Sequence, residues 1–441
     1  MIDHTSQAGC PSYLELVAEV KDWLAPSLAE DWPRLPATRA EGVYLYTADG
    51  RRYLDFTSGI AVTNLGHNHP RVLEAAIRQM RQFSHSAVGV TLHEPLLRLC
   101  QALSKVTPDG MDMFFFGNSG AEAVDGSLKL ARFVTSRPAF IGFKGSFHGR
   151  TFGAMSLTSV KSKYRSHYEP LLSGVYFAEY AYPYRCPFGD EPETVTRWSL
   201  DSLQDLFDHQ VSPTDVAAIL VEPVQGEGGY IVPPAGFLQG LRKICDQYGI
   251  LLIFDEIQSG FGRTGQMFAA QTFGVRPDIM AVAKGIANGF PLSATIASRA
   301  LMSQWKAGAH GTTFGGNPVA CAAAVETLAV IKEENLLENC RKMGTRLLDG
   351  LKSLQSRFAC IGDVRGVGLM VAMEMIVPGK GKTPHGATAT KVLENCLERG
   401  LLGYMAGTWG QVVRMIPPLI VTPDQIDESL NIIEASIPKS S

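Results

Sequence analysis

The chain predicts an α/β fold built on a mainly parallel sheet, and three observations carry that prediction. Short apolar runs alternate with amphipathic helical stretches through the middle of the chain. Runs of this kind pass directly into glycine-containing turns and helices, as a βαβ unit requires. With 441 residues, 45% of them apolar, the chain can bury a large core, and roughly 150 residues per domain gives two or three domains.

The elements follow in order. Residues 1 to about 70 carry short strand signals, including 42–46 and a turn at Asp49-Gly50. A helix follows Pro70, with Leu73, Ala76, Ile77 and Met80 at helical spacing. Residues 113–116 (MFFF) read as a buried strand that turns through 117–120 into a helix from Ala121. Residues 139–143 and 217–221 are further strands. A helix over 235–248, with Leu238, Leu241, Cys245 and Tyr248 on one face, stops at Gly249. Strands at 250–254 (ILLIF) and 279–283 complete this pattern. From about 325 onward helices dominate, broken by one glycine-rich strand near 364–374 and a polar loop at 378–386. Thr422-Pro423-Asp424-Gln425 is a capping box that opens the last helix.

Composition excludes several classes. Forty basic against 43 acidic side chains, spread along the chain, leave no electrostatic footprint for nucleic acid. No run of about 18 apolar residues is free of charges or breakers, so no transmembrane helix is expected. Residues 1–11 lack a basic, apolar leader pattern, which makes the cytoplasm the expected compartment. The eight cysteines are scattered without a C-x-x-C, so neither a zinc ribbon nor a dithiol site is expected, and no metal centre is assigned. Glycine is abundant, 44 residues beside 25 prolines, and it serves where backbone turns sharply or approaches a ligand.

Several motifs fail on their physical context. Gly381-Lys382-Thr383 ends like a phosphate-binding loop, but Ile376 stands where its first glycine belongs. Residues 260–265 match G-x-G-x-x-G, yet they start several residues after their strand and open no helix. Residues 117–121 (GNSGA) are one glycine short of a nucleophile elbow, which leaves a serine hydrolase using Ser119 as the alternative from another class.

Position favours a different chemistry. Polar residues follow directly after five apolar strands: 117–119, 144–150, Glu222, Asp255-Glu256 and Lys284. Open α/β sheets bind ligands at the carboxyl ends of their strands, so a helix N-terminus, acids and a lysine converge there. Alone, each has an ordinary reading: a βα turn, a helix cap, a metal ligand, a solvated strand end. Together they suit pyridoxal phosphate. Lys284 would form a Schiff base, a carboxylate would keep the ring nitrogen protonated, and the helix N-terminus would hold the phosphate. Phe147 offers a ring to stack on the pyridine.

At this point six motifs, in order, become recognisable: GNSGAEA (117–123), FHGRT (147–151), VEPVQGEGG (221–229), FDEIQSGFGRTG (254–265), AKG (283–285) and TTFGGNP (312–318). Together they resemble the class III aminotransferases over about residues 40–425. The resemblance implies a fold-type I pyridoxal-phosphate scaffold: a large domain with a mainly parallel seven-stranded sheet, and a small α+β domain from both chain ends. The expected division is 1–70 and 326–441 for the small domain and 71–325 for the large one. It also implies a homodimer with shared active sites.

The resemblance assigns roles residue by residue. Lys284 would carry the cofactor and move a proton between substrate and cofactor carbons. Asp255 would pair with the ring nitrogen and Gln258 approach the ring hydroxyl. Ser119, Gly120 and Ala121 would cradle the phosphate, with Thr313 reaching it from the partner subunit. Phe147 would stack on the ring, His148 replaces the tryptophan of ornithine aminotransferases, and Glu222 is a further site carboxylate. Arg414 would grip the α-carboxylate of glutamate and Glu227 pair with Arg414 when the other substrate is bound. Arg150 would hold a distant carboxylate, and Ile60 stands where ornithine aminotransferases carry a tyrosine. These features, with YRCPFG at 184–189, favour the 4-aminobutyrate branch over the ornithine and acetylornithine branches. The expected reaction transfers an amino group from an ω-amino acid to 2-oxoglutarate. Class III amino-acid racemases, which omit the oxo-acid half-reaction, are the alternative.

Overall fold

A computed structural model describes residues 13–28 and 35–438; Cys10 and the whole N-terminal stretch 1–11 lie outside them. The central sheet has seven strands: β1 Met113–Gly117, β2 Ala139–Phe143, β3 Val175–Ala178, β4 Val216–Val221, β5 Leu251–Asp255, β6 Ile279–Val282 and β7 Ser293–Ala297. Their spatial order is β1-β7-β6-β5-β4-β2-β3. β2 to β6 run parallel, and β7 lies antiparallel between β1 and β6. The strand expectations at 113–116, 139–143, 217–221, 250–254 and 279–283 fall on β1, β2, β4, β5 and β6.

β4 reads VAAILV and is buried along its whole length, because helices cover both faces of the sheet. Ala218 and Leu220 pack with Ile253 and Ala281 under Val124 and Leu128 of helix Gly120–Thr135. Ile219 and Phe254 face Phe237 and Leu241 of helix Ala235–Tyr248 on the other side. Each fully buried side chain of this kind contributes about 1.5–3 kcal/mol. Gly249 ends the second helix in the left-handed conformation, φ 63°.

Two four-stranded sheets flank this core. Ala37–Glu41, Tyr44–Thr47 and Arg52–Asp55 form a meander, and Leu401–Leu402 adds to it in parallel, so both chain ends share one sheet. The other contains Ile361–Val367, Met370–Met375, Val412–Met415 and Tyr404–Ala406, all antiparallel. The single strand expected at 364–374 is therefore a hairpin. It turns at Gly368, where φ is +56° and a Cβ would stand 2.5 Å from the carbonyl oxygen of Arg263.

Helix Pro70–Met80 also differs from expectation. It buries Val72, Ala75, Ala76 and Gln79, while Leu73 and Met80 are exposed. Its neighbour, helix Pro318–Glu333, begins PVACAAAV. An alanine-rich partner lets the axes approach closely, so the small face docks rather than the longer side chains. The capping box forms as read: Thr422 Oγ1 accepts from Gln425 N–H at 3.3 Å, and Gln425 Oε1 accepts from Thr422 N–H at 2.9 Å. Among the described residues no helix is long and apolar enough to cross a membrane, and no cluster of three or more His, Cys, Asp or Glu could hold a metal ion.

Candidate active site

The carboxyl ends of the strands enclose a cavity of about 430 Å³, lined by Ser119, Phe147, Glu222, Asp255, Gln258 and Lys284 among others. Lys284 follows β6 immediately and sits in the left-handed region, φ 46°. A lysine held there carries backbone strain, of the kind that concentrates at functional sites. Gly285 admits the Asn64 amide, which a Cβ would meet at 2.3 Å. Burial foremost lowers the Lys284 pKa; the Asp255 carboxylate opposes this and the Arg414 charge adds to it. A neutral, nucleophilic amine is thereby made accessible.

Asp255 closes β5. Its Oδ2 lies 2.7 Å from His148 Nδ1, and its Oδ1 accepts from the Ile257 N–H at 3.1 Å. His148 is buried against the carboxylate and fixes its orientation. Glu222 follows β4 and accepts from two loop amides: Phe147 N–H at 2.9 Å on Oε1 and Gly226 N–H at 2.8 Å on Oε2. It thus ties together the loop after β2 and its own. Burial pushes its carboxyl up to about 7, against the opposing influence of His148.

Ser119 is the N-cap of helix Gly120–Thr135, its Oγ accepting from the Glu122 N–H at 3.3 Å. Gly120 and Ala121 therefore present first-turn amides on the cavity wall, where an anion is favoured. A Cβ on Gly120 would stand 2.9 Å from Ile257. The hydrolase alternative fails here, because the Ser119 hydroxyl meets Glu122 and the helix amide, and no histidine among the described residues bonds to it to take its proton.

The other end of the cavity carries charged groups. Arg414, on strand Val412–Met415, is fully buried and donates through Nη2 to Glu227 Oε2 at 2.7 Å. Its Nε and Nη1 are buried without partners. Glu227 lines the cavity and Arg414 lies behind it. Arg150 is exposed, its guanidinium 3.7 Å from the Tyr164 ring centroid and 5.6 Å from that of Phe147.

Ile60 lies off this cavity, and so does Thr313, which is expected to act in a partner subunit's site. Val62, not Ile60, lines the cavity. Ser58, Gly59, Ile60 and Ala61 form a left-handed turn with φ between 47° and 65°, and Ile60 is exposed at its crest. Such a turn costs about 1–2 kcal/mol per L-residue; Asp55 Oδ1 holds it by accepting from the N–H groups of Thr57 and Ser58. Thr313 is exposed and lines a neighbouring cavity of about 640 Å³ with Asn118, Glu122 and His310. Sequence reading missed the contributions of Asn64 and Tyr164, neither of which sits in a motif with a chemical signature.

Pyridoxal phosphate fits these groups. Gln258 Oε1 and His148 Nε2, on two cavity-lining residues, are buried polar atoms without partners. A buried carboxylate, a lysine of lowered pKa and a helix N-terminus surround the same space. Fold and site together define a pyridoxal-phosphate enzyme.

Comparison with known proteins specifies which kind. The model of the family "Aminotransferase class-III" matches residues 27–437. The 4-aminobutyrate aminotransferase GabT of Escherichia coli (strain K12) is 38% identical over 398 residues, 90% of this chain and 92% of that protein. The alanine/serine racemase of Pyrococcus horikoshii is 37% identical over 432 residues, 97% of this chain and 90% of that protein. Among solved structures, a thermostable (S)-enantioselective ω-transaminase from Thermomicrobium roseum superposes with a TM-score of 0.90 at 31% identity, covering 97% of this chain and 98% of that one. The chain belongs to the class III aminotransferases and is a pyridoxal-phosphate-dependent aminotransferase.

Proposed function

We propose that the enzyme moves the amino group of an ω-amino acid such as 4-aminobutyrate to 2-oxoglutarate, giving a semialdehyde and glutamate. The observation that carries this reading is the pairing of Glu227 with Arg414 at the cavity wall. An arginine with two buried, unpartnered nitrogens is equipped to receive a second carboxylate in a bidentate fashion. With Glu227 on it, the wall is closed to an α-carboxylate and suits an ω-amine. With Glu227 displaced, Arg414 accepts the α-carboxylate of glutamate. Arg150, at the cavity mouth, takes the remote carboxylate of either substrate.

Bound pyridoxal phosphate supplies an electron sink that stabilises negative charge at the amine-bearing carbon. Lys284 would hold the cofactor and, when neutral, take and return the proton at that carbon. Asp255, oriented by His148, would hold the ring nitrogen, Gln258 the ring hydroxyl, and Phe147 the ring face. Ser119, Gly120 and Ala121 would bind the phosphate, with Thr313 of a second copy completing it in a homodimer. Glu222 would keep the two loops at the ring in place. The reading includes a cytoplasmic setting, in keeping with seven unpaired thiols among the described residues.

A second reading, amino-acid racemisation, is favoured by the alanine/serine racemase, whose similarity extends over 97% of this chain. The deciding experiment is a panel of amine donors with 2-oxoglutarate, followed by glutamate formation, beside a chiral assay on single amino acids. Glutamate formed from ω-amino acids supports the proposal; racemisation without an oxo acid overturns it. Borohydride should trap the cofactor on the peptide containing Lys284, and Lys284→Ala should abolish trapping and lower turnover by at least about 10²-fold.

A further inference from the structure

Glu227 has two donors, on opposite oxygens and at unequal distances. Arg414 Nη2 lies 2.7 Å from Oε2, whereas the Tyr164 hydroxyl lies 3.4 Å from Oε1. An O–H···O⁻ bond closes normally to about 2.5–2.7 Å. The carboxylate is drawn toward the arginine, and the tyrosine stands just short of full engagement. We propose that Tyr164 is the positioning residue that receives Glu227 when a substrate carboxylate takes Arg414, and that it thereby sets the affinity for the dicarboxylate substrate. This deepens the reading above and rests on it.

The backbone around Glu227 is pinned, so its displacement must be a side-chain rotation. The Gly407 N–H donates to the Glu227 carbonyl at 2.9 Å, and Arg365 Nε donates to the Gly229 carbonyl at 2.9 Å. Gln225 and Ile231 close the base of the loop by exchanging backbone bonds of 3.1 and 3.2 Å. Oε1 already faces the tyrosine, and a small rotation shortens that contact as it breaks the one to Arg414.

Tyr164 itself is held on both sides. Arg150 lies over its face at 3.7 Å, and the Phe147 ring meets it edge-on, with centroids 5.9 Å apart and planes at 76°. Burial, then the Glu227 charge, push the phenol up to about 12, so it stays a donor throughout the working range. One ring thus touches the arginine expected to hold the remote carboxylate and the glutamate that guards the other arginine.

Tyr164→Phe removes the donor and keeps the ring under Arg150. In the holoenzyme, with each half-reaction followed separately by stopped-flow absorbance, KM for glutamate should rise about tenfold with kcat unchanged, the scale of a lost hydrogen bond to a charge. The constants for 4-aminobutyrate should move by no more than about twofold, since Glu227 keeps Arg414 in that half-reaction. Calorimetry should show the unreactive dicarboxylate glutarate binding about tenfold more weakly, and pentanoate unchanged. In a Glu227→Gln background, which carries no charge to receive, Tyr164→Phe should have no effect on glutamate. Equal changes for both substrates, no change for either, or an effect that persists with Gln at 227 would overturn the proposal. Failure of the unsubstituted enzyme to react with glutamate would instead overturn the reading on which it rests.

Discussion

Glu374 and Glu227 are both carboxylates gripped by arginines of the same antiparallel sheet, and the difference between their surroundings separates a lock from the proposed gate. Glu374 is fully buried and accepts from Tyr182 and Arg185, with Arg365 Nη1 at 2.9 Å and the Gln411 amide at 3.4 Å. Burial alone would raise its carboxyl; Arg365 and Arg185 overcome this and hold it below the usual range. Glu227 keeps more exposure, one short bond and one long one, against an arginine with two idle nitrogens. Arg365 and Arg414 both register with Ala372 across the sheet, so the two sites are neighbours. A carboxylate held by four residues has nowhere to go, even though Arg365 Nη2 beside it lacks a partner, whereas a carboxylate with one short bond can exchange partners at little cost.

The comparison breaks if the lock proves dispensable. Glu374→Ala leaves Arg365 and Arg185, both half-buried, without their common partner and should cost about 3–5 kcal/mol, read from denaturant midpoints. Its preference between glutamate and 4-aminobutyrate, per folded molecule, should stay as it was; a changed preference would merge the two roles. Arg414→Ala tests the gate. It should lower kcat/KM for glutamate about a hundredfold, in the range of about 2–5 kcal/mol for truncating a buried charge partner. A donor without an α-carboxylate should lose less than about tenfold, and equal losses would remove the selectivity argument.

The smallest effect concerns a third buried carboxylate, Glu222, which meets backbone amides rather than arginines. Its native carboxyl near 7 lies above the usual 4.5, so the folded state binds this proton more tightly than the unfolded chain. Its contribution is most favourable below about 4.5 and declines as pH rises toward 7. Glu222→Gln should therefore gain on the unsubstituted enzyme as pH rises through that window, in paired unfolding curves. A stability gap independent of pH would show that the carboxyl titrates normally.

Much of this architecture was legible from local pattern. β2, β4, β5 and β6 are apolar runs of four to six residues with turn residues behind them, and such runs announce themselves. β7 did not: SATIA is short and small, buried at every position, and wedged antiparallel between two more apolar strands. The hairpin at Gly368 was hidden because strand-forming residues flank both sides of the turn. Helix Pro70–Met80 was recognised, but which face it buried depended on the alanines of a helix more than 230 residues later.

The same division runs through the site. Lys284, Asp255, Glu222 and the helix N-terminus after residues 117–120 were readable because a strand end and the turn after it are local, and parallel strands bring all such ends to one edge. Tertiary structure alone decided what these groups meet: His148 on Asp255, Asn64 against Gly285, and Tyr164 beside Glu227. Glu227 and Arg414 lie 187 residues apart, and the sequence supplied their charges without their exposure or their number of partners. Those quantities decide whether an ion pair locks or switches, because desolvation and unmet hydrogen bonds arise only when distant segments close around the charge.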